Sequence, residues 1–121
     1  MTYYYYIAAN IPLDAHTYNE HIFSLMPCEE HIKGFTLPIQ LEINNGLSKK
    51  RQAQSLLNFL YAQTASYESC TIEIAHLLNS NHEPYRITQN TTVDLHTIQS
   101  ADALLLQVGQ LLTIRKVPVV S

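Results

Sequence analysis

A chain of 121 residues, 46% hydrophobic and 14% charged, has room for one domain and enough apolar material for its core. Disorder needs low hydrophobicity with high net charge, and a formal charge of −3 on this composition excludes it. Seven basic against ten acidic residues give no field to gather a polyanion, so no nucleic-acid partner is expected.

The first element is a strand over residues 2–9, where Tyr3 to Tyr6 and Ile7 have high β-propensity. Its two faces, Tyr3, Tyr5, Ile7, Ala9 and Tyr4, Tyr6, Ala8, carry no charge. Such a strand is either covered on both sides or meets a partner with its outer face. Residues 10–34 are broken by Pro12, Pro27 and Gly34, with length for one or two helical turns between Asp14 and Met26. Over residues 35–43, Phe35, Leu37, Ile39, Leu41 and Ile43 alternate with Thr36, Pro38, Gln40 and Glu42, the period of a half-buried strand. Pro38 cannot donate to a ladder, which suits an edge position or the strand's beginning.

Asn44-Asn45-Gly46 then turns the chain, and Ser48 is a candidate N-cap for a helix from Lys49 to Thr64. Its apolar stripe is Ala53, Leu56, Leu57, Leu60 and Tyr61. Residues 69–78 read as a strand, with Cys70, Ile72, Ile74 and His76 on one face and Thr71, Glu73, Ala75 and Leu77 on the other. Turn-forming residues fill 79–84, and 85–93 suits a further, polar strand. Ser100 can cap a short helix from Asp102 to Leu106, Gly109 stops it, and residues 111–117 form the last strand. Strands that outnumber helices without regular alternation predict an α+β fold. The expected form is a two-layer α/β sandwich: one mostly antiparallel sheet, with one long and one short helix on one face, as a single domain over 1–121.

Cys28 and Cys70 fit no disulfide or thiol-redox spacing. The chain opens without a basic-then-apolar leader and holds no apolar run near the ~20 residues of a membrane span. A cytoplasmic protein with free thiols, no membrane partner and no cofactor is the expectation.

Three features bear on function. Asp14, His16, His21, Cys28, Glu29, Glu30 and His31 are zinc-ligand types, and Cys28-x-x-His31 can chelate. The second pair that a metal site needs is missing, so no metal is assigned and surface histidines are the reading. Ser48, Lys49, Lys50 and Arg51 put three cations where a helix dipole prefers acids, which suits a phosphate or carboxylate. Nucleophilic catalysis has little support: Cys70 and His76 would lie about 20 Å apart along a strand, and Glu73 and His76 read as polar sheet-surface residues. Cys28 and His31 could touch on one helical turn, but Glu29 and Glu30 would raise the thiol pKa. No catalytic residue is named. The tyrosine run Tyr3, Tyr4, Tyr5 and Tyr6 suits an interface, since tyrosine buries large area and still offers a hydroxyl. The leading expectation is a non-enzymatic interaction module that forms a homodimer, or binds a protein partner, through this strand. An anion-binding module at the 49–64 helix is the alternative, and a small enzyme is third.

Overall fold

The computed structural model describes residues 2–13, 24–27, 35–44, 50–79, 87 and 89–118. These form strands β1 (Thr2–Ala9), β2 (Ser24–Pro27), β3 (Ile39–Asn44), β4 (Cys70–Asn79), β5 (Gln89–Asp94) and β6 (Gln110–Lys116), and one helix, α1 (Lys50–Thr64). Two 3-10 turns, Leu95–Thr97 and Ala101–Leu104, lie between β5 and β6. The strands make one sheet in the order β2-β3-β1-β4-β6-β5. Every neighbouring pair is antiparallel except β5 with β6. The expected α+β class, with helix packed on sheet, is the observed one.

On the helix side, Tyr5, Ile7 and Ala9 of β1 join Ile72 and Ile74 of β4 and Leu112 and Ile114 of β6 in one core. Onto them α1 lays Ala53, Leu56, Phe59 and Leu60, all without exposed surface. Each of the three larger side chains contributes roughly 1.5–3 kcal/mol by leaving water. Phe59 was missing from the expected stripe, whereas Tyr61 turns outward and donates its hydroxyl to the Leu95 carbonyl at 3.2 Å. The last turn of α1 has no basic residue. Lys116 of β6 supplies the cation, its Nζ donating to the Thr64 carbonyl at 2.6 Å.

Parallel strands need a long crossover rather than a hairpin, and residues 95–109 provide it. Leu95, Ala101, Leu104 and Leu106 bury into the same core as α1. Ser100 caps the second 3-10 turn as expected, accepting the Asp102 amide at 3.2 Å. The expected short helix is therefore a 3-10 turn that shares one layer with α1.

The other face of the sheet, which a sandwich with both helices on one side leaves open, is covered where β1, β4 and β6 meet. Tyr6, Ala8, Ala75, Leu77 and Leu111 are buried there with Phe35, flanked by Leu37 and Ile87. The alternation from Phe35 to Ile43 does not mark a single strand. β3 begins at Ile39, just after Pro38, so Pro38 marks the strand's beginning. Phe35 to Leu37 instead form a strap across the face away from α1. Ala8, the register partner of both Gln40 and Glu73, carries only a methyl group, which lets the strap approach. Glu73 fastens it: Oε1 accepts the Thr36 and Leu37 amides at 3.0 and 3.1 Å, and Oε2 accepts the Thr36 hydroxyl at 3.3 Å. Glu73 is 5% exposed, so it is a buried clamp and not the surface residue expected. A carboxylate taken out of water needs such donors.

Candidate functional site

Of the four expected interface tyrosines, the structure places two inside the chain's own cores. Tyr5 is buried against α1 and Tyr6 under the strap, and the side chains of Tyr3 and Tyr4 lie outside the described residues. β1 itself sits between β3 and β4. From Tyr5 to Ala9 it is an inner strand with both ladders made, so no partner can pair with that stretch along an edge; Thr2 to Tyr4 are paired on the β4 side. Its lack of charge, from Tyr5 to Ala9, follows from burial on both faces.

Tyr5 has a positioning role. Its hydroxyl donates to the Leu106 carbonyl at 3.1 Å and accepts the Leu106 amide at 2.8 Å. Burial pushes its pKa up, partly offset by the bond to Leu106. The His76 ring stacks on Tyr5 with centroids 4.2 Å apart and planes at 14°. His76 Nδ1 lies 3.1 Å from the same Leu106 carbonyl; a carbonyl only accepts, so Nδ1 carries the proton. These contacts fix the turn that ends at Gly109. The Gly109 amide donates to the His76 carbonyl at 2.7 Å, and its own carbonyl accepts the Gln89 amide at 3.3 Å. Gly109 does this at φ 88°, a region that glycine enters without strain. The buried tyrosine thus sets where β5 starts.

β5 is the last strand of the sheet, and no described strand lies beyond it. Gln89, Asn90, Thr91 and Thr92 are all exposed, on both faces. In a parallel ladder, the N–H and C=O of one residue point to the same neighbour. The Gln89 amide reaches Gly109, so Gln89, Thr91 and Val93 bond to β6. Asn90, Thr92 and Asp94 then present their N–H and C=O groups outward. Of these groups, the Asp94 carbonyl accepts the Thr97 hydroxyl at 2.7 Å. The Asp94 carboxylate makes no capping bond to the turn that follows. Proteins normally blunt such an edge with lysine, proline, a bulge or shortness. Residues 89–94 contain no lysine or proline. The opposite edge, β2, is four residues long and ends in Pro27, so it is blunted in two of those ways.

Lys50 and Arg51 are exposed in the first turn of α1, which holds no acidic residue; Ser48 and Lys49 lie outside the described residues. The candidate ligands Asp14, His16, His21, Cys28, Glu29, Glu30 and His31 lie outside them as well. Among the described residues no three His, Cys, Asp or Glu side chains gather as a metal site would. No described helix is long and apolar enough to cross a membrane. Cys70 is a buried free thiol whose pKa burial raises, against the pull of Lys116. Asn90, Thr92 and Asp94 are not among the candidates that the sequence offers. The signal available was a β-prone Thr-Thr-Val run without a gatekeeper residue. Comparison with protein-family models, curated proteins and solved structures finds no match to this chain.

Proposed function

We propose that this chain is a non-enzymatic protein-interaction module that extends its sheet by docking a partner strand on the outer edge of β5. The observation that carries this reading is the outward row of N–H and C=O groups at Asn90, Thr92 and Asp94, on a strand exposed from Gln89 to Thr92. Strand addition draws affinity from main-chain hydrogen bonds and specificity from alternating side chains, and this edge offers both. The acid and imidazole that the fold brings inward, Glu73 and His76, are engaged in holding the strap and the 106–109 turn. They serve the frame that presents β5. The interaction role expected from the first strand is assigned in this reading to the β5 edge instead. A reducing cytoplasm suits the free Cys70 thiol.

A photo-crosslinking amino acid at Asn90, in the cell that makes the protein, tests this directly. Illumination should give a discrete covalent adduct, with none from the same group at Gln54, an exposed residue of α1. Absence of any adduct from Asn90, with the protein folded and abundant, would remove the edge as a docking surface.

A further inference from the structure

Resting on that reading of the edge, we infer that the strand docked on β5 is β5 of a second copy, antiparallel and centred on Thr92. Two copies related by a two-fold axis through the sheet bring the same row of outward groups together, and one self-complementary patch suffices for such a pair. Antiparallel partners meet as residues that exchange both hydrogen bonds. With Thr92 opposite Thr92, each Asn90 faces the other copy's Asp94, and all three outward residues of both strands are used. Facing threonines are a favourable cross-strand pair.

Side-chain chemistry selects this register. Asn90, Thr92 and Asp94 share the sheet face of Leu111, Thr113 and Arg115, their partners on β6. The Asp94 carboxylate, which does not cap its own turn, meets the amide of the opposing Asn90, an acceptor against a donor. Sliding the strands to put Asp94 opposite Asp94 would place like charges face to face, which is destabilising. From Gln89 to Val93 no charged side chain opposes the approach. The strand is thus a better match to itself than to a strand carrying acids at these positions. The product is one continuous sheet with both α1 helices on the same side.

The test is cysteine cross-linking of the purified full chain in a Cys28→Ser background, with Cys70 left in place because it is buried. In a pair that exchanges both hydrogen bonds the Cα atoms lie about 5.5 Å apart, inside the window a disulfide spans. Thr92→Cys should therefore oxidise mainly to a covalent dimer. Asn90→Cys places its two thiols about four residues apart along the ladder, near 13 Å, and should yield at least about tenfold less. Cross-linking as efficient from Asn90→Cys as from Thr92→Cys would overturn this register. A chain that stays monomeric up to several hundred micromolar, with neither variant cross-linking, would overturn the second copy as partner. In that case an adduct from Asn90 to a different protein would leave the edge reading standing. A dimer that forms without cross-linking at either position, and is insensitive to Thr92→Pro, would defeat both.

Discussion

Phe59→Ala should lower the unfolding free energy by about 3–5 kcal/mol, the range for emptying a buried aromatic site. Phe59 has no exposed surface and packs between α1 and the sheet, so the cavity opens at the centre of the core. For a domain of ordinary stability, near 5–15 kcal/mol, that is a large share. Urea unfolding of the variant beside Tyr61→Ala measures it. Tyr61 is 43% exposed, and its truncation should cost about 1 kcal/mol, mostly from the hydroxyl bond to Leu95. Equal losses from the two would mean that α1 is rotated from the face described here.

Glu73→Ala should cost about 1.5–3 kcal/mol, the range for hydrogen bonds to a charged group. The loss is local as well as global. Without the carboxylate, the Thr36 and Leu37 amides lose their acceptor, and among the described residues the strap over Tyr6 and Ala8 keeps Phe35, its flanking side chains and the bond from Gln40 Nε2 to the Leu37 carbonyl. Amide exchange at Thr36 and Leu37 should accelerate, and a dye that binds exposed apolar surface should bind more strongly. Glu73→Gln keeps one acceptor oxygen and should lie between the wild type and the alanine variant. Unchanged exchange at Thr36 in Glu73→Ala would show that the strap does not depend on the clamp.

Much of the architecture was legible because burial imposes a period. β1, β4, β6 and α1 each carry an apolar pattern of their own type, and their bounds fall within a residue or two of those read from the pattern. The period misled at Phe35 and Leu37: alternation carries on through Pro38 although the chain crosses to the other face there, and periodicity does not record which face a segment covers. Glu73 resembled any solvated strand carboxylate, because its donors come from residues 36 and 37 positions away in sequence. The bond from Tyr5 to Leu106 spans 101 residues and leaves no local trace.

The docking edge was the least legible feature. A polar strand near 85–93 was expected, but edge status belongs to strand order, which depends on the parallel crossover through residues 95–109. The first strand stands out in the sequence because an uncharged strand is unusual. Its place between β3 and β4 and the burial of Tyr5 to Ala9 account for the missing charge over those residues. The mild sequence of β5 conceals the greater exposure.

The most direct test of the account is solution mass by light scattering, for the wild type and Thr92→Pro, from low to several hundred micromolar. Proline at position 92 removes an outward N–H and no bond to β6, a setting in which a strand tolerates it. Thr92→Lys, which sets two lysines face to face across the two-fold axis, serves as a companion that leaves the backbone intact. The expected result is a wild type that reaches twice the 13.8 kDa chain mass, and folded variants that remain at the monomer mass throughout. A wild-type dimer that both variants leave intact would contradict it.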